Sequence, residues 1–135
     1  MTGISFLAYL TCNAAQPVVK TGIEVLSDRD FAGLVRRKVG LVTNPSGVDS
    51  RLVSTIDILY NAPGVDLVAL YGPEHGVRGD VYAGGKVSDT IDAATGLPVY
   101  SLYGSTRKPT PAMLEGIDVM VYDIQDVGVR SYTFI

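Results

Sequence analysis

Four short apolar runs, rich in β-branched residues, lie along the chain between glycine, proline and charged residues. They cover residues 38–44, 66–72, 97–104 and 117–126. Each run is apolar on both sides of an extended chain, which is typical of strands buried within a parallel sheet. The hydrophobic pattern therefore predicts four buried strands.

A helical pattern precedes the first of these strands. Residues 28–37 follow Ser27 as a candidate N-cap, carry acidic residues in the first turn and end in basic residues, which suits the helix dipole. The apolar residues of this segment, Phe31, Leu34 and Val35, recur at helical spacing. We expect a helix over residues 28–37.

Two further helices are expected between the strands. In the stretch "SRLVSTIDILYNA", one helical face would carry Leu52, Ile56 and Leu59. The stretch "TPAMLEG" predicts a short helix with Thr110 as its N-cap and Pro111 at its first position. Strands that alternate with helices predict an α/β fold, in which a mostly parallel, doubly wound sheet has helices on both faces.

The composition is that of one ordinary globular domain. The chain has 135 residues, 47% of them hydrophobic and 19% charged. Its net charge of -3 argues against nucleic acid, or an anionic membrane surface, as a partner. The single cysteine, Cys12, excludes an intramolecular disulfide. No run approaches the roughly 18 apolar residues that a membrane-spanning helix needs.

The N-terminus is similar to a secretory signal, because the apolar core "ISFLAYL" is followed by the small residues Ala14 and Ala15. No lysine or arginine precedes Ile4, however, so an irregular extension remains the alternative. A signal would make the protein secreted or periplasmic, and an irregular extension would leave it cytoplasmic. In both cases residues 1–20 are not expected to be part of the fold.

Polar residues gather directly after each predicted strand, in "TNPSGVD", "GPEHGVRGD", "LYGSTRKPT" and "DIQDVGVRSY". In an open parallel sheet, ligands bind outside the carboxyl ends of the strands, so these four loops are expected to share a cleft. The residues expected in it are Asn44, Ser46, Asp49, Glu74, His75, Arg78, Asp80, Arg107, Lys108, Asp123, Gln125, Asp126 and Arg130.

The residue types in this cleft allow acid/base chemistry but do not demand it. Glu74 could act as a general acid, or it could be a solvated loop carboxylate. His75, the only histidine, could exchange a proton or could be a structural residue. Asp123 and Asp126 could supply a second carboxylate, or they could only hydrogen-bond the following turn.

Other common sites lack support. The sequence has neither a GxGxxG nor a GxxxxGK[ST] motif, and "NPSG" is not a GxSxG nucleophile elbow. A divalent metal among Glu74, His75, Asp123 and Asp126 is conceivable, but no ligand spacing on one element demands it. We therefore expect no cofactor and no metal site.

Four motifs in unbroken order, "VGLVTNPSGVD", "LVALYGPEHGVRGD", "GLPVYSLYGSTRKPTPAML" and "IDVMVYDIQDVGVRSYT", resemble the N-terminal domain of the exo-β-N-acetylmuramidase family. The resemblance implies that residues 21–135 are the N-terminal part of a Rossmann-like catalytic domain, with the family's C-terminal domain absent. It implies a glycosidase of cell-wall turnover that releases N-acetylmuramic acid from the non-reducing end of peptidoglycan fragments.

By position in the family motifs, the resemblance implies that the active site includes Glu74, His75, Asp123, Gln125 and Asp126. Glu74 would be the catalytic acid, and the second carboxylate would be Asp123, Asp126 or a residue outside this chain. His75 and Gln125 would hold sugar hydroxyls or the acetamido group. Further substrate contacts are expected from Asn44, Arg78, Arg107 and Arg130, the arginines being candidates for the lactate carboxylate.

Two alternatives belong to other classes of protein. If the catalytic carboxylates lie outside this chain, it would be a muropeptide-binding module without activity, or an inactive truncated remnant. A nucleotide-binding regulatory domain rests on fold analogy alone, because "TNPSGVD" supplies a single glycine for an anion-binding loop.

Overall fold

The computed structural model describes residues 19–79 and 89–125. The predicted N-terminal extension up to residue 18, and the predicted site residues Asp80, Asp126 and Arg130, lie outside these ranges.

All four predicted strands are present; the strand over residues 66–72 has the predicted bounds, and the other three are shorter. The elements in chain order are α1 (Gly22–Asp28), β1 (Lys38–Thr43), α2 (Thr55–Tyr60), β2 (Asp66–Gly72), β3 (Thr90–Ile91), β4 (Pro98–Ser101), a 3-10 turn (Ala112–Leu114) and β5 (Val119–Asp123). Strand β3 was not predicted, because it has only two residues and both are exposed.

The strands form one five-stranded sheet in the order β3-β4-β2-β1-β5. Strands β4, β2, β1 and β5 are parallel, and only β3 pairs antiparallel, with β4. The chain proceeds outward from β1 through β2 to β4, and then returns to place β5 on the other side of β1. This reversal creates a topological switch point between β1 and β5, as expected for the predicted α/β fold.

One face of the sheet carries the hydrophobic core. Val39 and Leu41 of β1 are completely buried and belong to the same cluster as Ile56 and Leu59 of α2 and Ile23 of α1. Because Val39 and Leu41 are two residues apart on a strand, their side chains leave the same side of the sheet. Both helices therefore cover this face.

The opposite face is built around Tyr71, which is completely buried. Its hydroxyl donates a hydrogen bond to the carbonyl oxygen of Met113, which ties the 3-10 turn to this side. A side chain at Gly40 would lie 2.7 Å from the sulfur of Met120 and 2.9 Å from the Tyr71 ring. Glycine at this position therefore allows the large side chains of the neighbouring strands to meet above β1.

The helix predicted over residues 28–37 is wrong, because α1 ends where it was expected to begin. A capping box between Thr21 and Glu24 starts the helix earlier, and Ser27 lies near its C-terminal end. Beyond it, Phe31 and Arg36 have positive φ angles of 54° and 61°, which a right-handed helix does not allow.

Two smaller helical predictions also need correction. Leu52 does not share a helical face with Ile56 and Leu59, because α2 begins at Thr55 and the Leu52 side chain is 80% exposed. The "TPAMLEG" segment forms a 3-10 turn, not an α-helix, although Thr110 Oγ1 accepts a hydrogen bond of 3.3 Å from the Met113 amide.

Candidate functional site

The carboxyl ends of β1 and β5 are joined at the switch point. Thr43, the last residue of β1, is completely buried and donates a 2.8 Å hydrogen bond from Oγ1 to the carbonyl oxygen of Asp123. One step further along both loops, the amide of Gln125 donates a 2.9 Å hydrogen bond to Ser46 Oγ. The predicted meeting of the first and fourth loops therefore occurs, through Thr43 and Ser46.

Asn44 organises the loop after β1. Its Oδ1 accepts a 2.9 Å hydrogen bond from the Ser46 amide and a 2.7 Å hydrogen bond from the Ser46 hydroxyl. This is the side-chain mimic of a backbone turn that asparagine commonly provides. The amide oxygen of Asn44 therefore serves the loop, and any substrate contact falls to its NH2 group.

Asp123 is anchored to α2 through its carboxylate. Its Oδ2 accepts a hydrogen bond from the hydroxyl of Thr55, which is the first residue of α2 and is completely buried. The sequence showed no reason to select Thr55, because a threonine at a helix start usually signals only a cap. The contact leaves the second carboxylate oxygen of Asp123 as the one that could face a ligand.

Glu74 and His75 lie in residues 73–79, which follow β2 and are called the Glu74 loop below. Both side chains are half-buried, and Pro73 before them is buried. His75 has a φ of 72°, in the left-handed region that residues other than glycine seldom adopt. Such a conformation persists only where the surroundings hold it, and it is common at functional sites.

Tyr103 lies near Glu74, in the loop after β4. The amide of Leu102 donates a 2.8 Å hydrogen bond to the carbonyl oxygen of Gly72, so the loops after β4 and β2 run together at this edge. A hydrogen bond between the Tyr103 hydroxyl and the Glu74 carboxylate raises the pKa of Tyr103, and the negative charge of Glu74 adds to this. The nearby positive charge of Arg107 acts in the opposite direction on the pKa of Tyr103.

Tyr103 is not among the predicted site residues, because it falls within the apolar run over residues 97–104, whereas β4 ends at Ser101. A usable signal was present, because a phenol placed directly before a polar glycine-containing loop can serve as a polar group as well as an apolar one.

Arg78 is engaged by two protein carboxylates. Its guanidinium donates to Asp92 from Nε at 2.6 Å and Nη2 at 3.0 Å, and to Asp57 from Nη2 at 2.9 Å and Nη1 at 3.3 Å. All three of its nitrogens are therefore used within the domain. The prediction that Arg78 holds a substrate carboxylate is not favoured by this geometry.

The predicted residues thus form two described groups at one edge of the sheet. Asn44, Asp123 and Gln125 lie around the ends of β1 and β5, and Glu74 lies with Arg107 around the ends of β2 and β4. Since these four strands are parallel neighbours, all their carboxyl ends share this edge. Within residues 19–79 and 89–125, no group of three or more His, Cys, Asp or Glu side chains could hold a metal ion. No helix in the same two ranges is long and apolar enough to cross a membrane.

Residues 39–135 match the family model described as the N-terminal part of the exo-β-N-acetylmuramidase NamZ. The chain belongs to the NamZ family. A relative from Bacillus subtilis (strain 168), a peptidoglycan β-N-acetylmuramidase NamZ, is 54% identical over 122 residues, which cover 90% of this chain and 30% of the relative. The chain therefore spans about a third of the length of that relative.

Two solved structures are similar to this domain, and both are DUF1343 family proteins from Bacteroides fragilis NCTC 9343. One has a TM-score of 0.76 and 66% sequence identity, and the match covers 84% of this chain and 28% of that protein. The other has a TM-score of 0.64 and 34% identity, covering 83% and 27%.

Proposed function

We propose that this domain, within the complete protein, belongs to a glycoside hydrolase that releases N-acetylmuramic acid from the non-reducing end of peptidoglycan fragments. The observation that carries the proposal is the family match over residues 39–135, which includes all four polar loops. The place of Glu74, two residues after the end of β2, supports it, because it puts a carboxyl at the strand edge where this fold class binds ligands.

In this proposal Glu74 protonates the oxygen of the leaving sugar. A glycosidase uses one carboxyl group as the acid while positive charge develops on the sugar ring, and a second carboxylate acts as base or nucleophile. Tyr103 would hold the Glu74 carboxyl in one orientation, and His75, which adjoins it, would contact sugar hydroxyls. Gln125 would do the same from the other side of the edge.

Asp123 and Asp126 are the two candidates within this chain for the second carboxylate. Asp123 is held by Thr55 through Oδ2, so its orientation is set by the fold. Asp126 lies outside the described residues. A third source is sequence that this chain does not include, because relatives are much longer.

Selectivity for muramic acid requires a cation for its lactate carboxylate. Arg107 is exposed and acts on Tyr103 electrostatically, so it stands near the proposed acid with its guanidinium accessible. A guanidinium can grip a carboxylate with two parallel hydrogen bonds, and Arg107 is therefore the preferred described partner. Arg130 is the other candidate and lies outside the described residues.

The expected partners are saccharides that contain N-acetylmuramic acid linked to N-acetylglucosamine, without nucleic acid. A substrate from the cell wall favours a secreted or periplasmic location over a cytoplasmic one. No cofactor is needed for the proposed hydrolysis, since two carboxyl groups and water supply the chemistry.

The test is Glu74→Gln in the intact protein, assayed for release of muramic acid from a MurNAc-GlcNAc disaccharide. Turnover should fall by at least about 100-fold, the lower end of the range for loss of a general acid. Glu115→Gln is the matched control, because Glu115 is exposed beside the 3-10 turn and is not part of the proposed site. Turnover that survives in Glu74→Gln would refute the assignment of the acid.

A muropeptide-binding module without activity is the alternative from another class. Calorimetric titration of the wild-type protein with the same disaccharide separates the two functions. Binding without turnover would favour the module, and turnover would favour the hydrolase. The anomeric configuration of the first product, observed by NMR, would then show whether the second carboxylate acts as nucleophile or as base.

A further inference from the structure

Arg78 links three separate parts of the domain. It belongs to the Glu74 loop, and its guanidinium contacts Asp57 on α2 and Asp92 directly after β3. Asp92 receives two of these hydrogen bonds, at 2.6 and 3.0 Å, in the parallel geometry that makes arginine-carboxylate pairs specific. The loop is therefore tied at one point to both a helix and a strand connection.

Asp92 is itself held firmly, so it is a fixed anchor. Its side chain is only 4% exposed, and Oδ2 also accepts hydrogen bonds from the amide of Thr95 at 3.0 Å and from its hydroxyl at 2.6 Å. The arginine holds the pKa of Asp92 at about 2, so the carboxylate stays charged over the whole neutral range. Removing Arg78 would leave a buried negative charge without its cation.

The Glu74 loop is also held by a hydrogen bond of its own backbone and by contact with the core. Its described internal backbone hydrogen bond joins the Gly76 amide to the Pro73 carbonyl, at 3.1 Å. Val77 is buried in the core next to Arg78. His75 has a positive φ of 72°, a backbone conformation that persists only where the surroundings hold it. The anchored guanidinium and the buried Val77 therefore fix the end of the loop that follows Glu74.

We propose that Arg78 is a positioning residue, which holds the Glu74 loop so that the carboxyl of Glu74 stays in place at the strand edge. The expected effect of Arg78 on kcat rests on the proposed function. The structural consequence, a loop ordered by Arg78, is independent of that function. This role replaces the expected contact between Arg78 and a substrate carboxylate, because every nitrogen of the guanidinium already has a protein acceptor.

The test compares Arg78→Gln with wild type in the intact protein by two measurements. Amide hydrogen exchange in residues 73–79 should become at least about tenfold faster, since the tie to Asp57 and Asp92 is lost. In the MurNAc-GlcNAc assay, kcat should fall about 10- to 100-fold with little change in KM, as for a displaced catalytic group.

Arg51→Gln is the matched control. Arg51 also donates from Nε and Nη2 to an aspartate, Asp49, but its side chain is 80% exposed and lies outside the Glu74 loop. Neither the exchange of residues 73–79 nor kcat should change in this variant. Asp57→Asn is a milder variant, because the Asp57 carboxylate is 42% exposed, and it keeps the test valid if Arg78→Gln does not fold. In Asp57→Asn, the hydrogen exchange of residues 73–79 should rise and kcat should fall, both by less than in Arg78→Gln.

The outcomes are distinguishable. Unchanged exchange in residues 73–79 for both Arg78→Gln and Asp57→Asn would overturn the inference, whatever the activity. A rise in KM at unchanged kcat would also overturn the inference, because it would indicate that Arg78 binds the substrate. If wild type itself shows no turnover, the proposed function fails, while the exchange measurement still decides whether Arg78 orders the loop.

Discussion

The hydroxyl of Thr43 donates a 2.8 Å hydrogen bond to the carbonyl oxygen of Asp123, which joins the ends of two neighbouring parallel strands. This contact closes the switch point where the chain reverses its direction across the sheet. The loop after β1 passes close to this hydrogen bond, and Gly47 makes the close approach possible because it has no side chain.

Gly47→Ala should destabilise the domain. A methyl group at this position would overlap Thr43 Oγ1 and lie 2.7 Å from the carbonyl oxygen of Asp123, and neither atom belongs to a flexible side-chain end. Relief would require breaking the hydrogen bond between these two residues. We expect a loss of about 1–3 kcal/mol in the free energy of unfolding, measured by urea denaturation.

Gly22→Ala is the control for this substitution. Gly22 is the first residue of α1, and a methyl group there would meet no atom within 4 Å. Alanine favours a helix over glycine, so stability should stay the same or rise slightly. Equal stability of the Gly47→Ala protein and wild type would show that the loop after β1 can move away.

Asp92 should make the stability of the domain depend on acid pH. Arg78 lowers the pKa of Asp92 from its ordinary 3.8 to about 2 in the folded protein. A lowered pKa means stability that is fully present above about pH 4 and lost as the pH falls toward 2. At 1.4 kcal/mol for each pKa unit, the loss is about 2 kcal/mol.

The measurement is urea denaturation between pH 5 and pH 2, for wild type and Asp92→Asn. The variant cannot titrate at this position, so its stability should be lower at pH 5 and should change less on acidification. Parallel curves for the two proteins would contradict the assignment of this pH dependence to Asp92.

Tyr103 should report the charge of Glu74. The hydrogen bond to Glu74 and its negative charge raise the pKa of Tyr103 above the ordinary 10.0. Glutamine at position 74 keeps the size but removes the charge. In Glu74→Gln, the pKa of Tyr103 should therefore move down toward 10.0, as followed by NMR with tyrosine labelled at Cζ.

The comparison variant for this titration is Glu115→Gln, which removes an exposed carboxylate elsewhere. The Tyr103 titration should be the same in Glu115→Gln as in wild type. If Glu74→Gln left the Tyr103 titration unchanged as well, the contact between Glu74 and Tyr103 would not exist in solution.

The backbone of residues 28–37 could not be predicted from the apolar pattern. Of the three apolar residues at helical spacing, Phe31 and Leu34 are buried and Val35 is 42% exposed. Phe31 and Leu34 reach the core from a turn that includes positive φ angles at Asp30, Phe31 and Gly33, not from a helix. Apolar spacing therefore indicated burial correctly for two of the three residues in this segment. It does not report the backbone path, because a capped helix before this segment and the core behind it together determine that path.

The sequence by itself determined the four principal strands, the α/β class and the placement of polar loops after those strands. Apolar runs can be stable only when buried, and the loop chemistry follows directly along the chain. Only the tertiary structure decided which loops meet and what each side chain contacts. Tyr103 lies near Glu74, Thr55 donates a hydrogen bond to Asp123, and Arg78 donates to Asp57 and Asp92, although these residues are far apart in sequence. Such contacts depend on strand order and on the direction of each side chain, which local patterns do not contain.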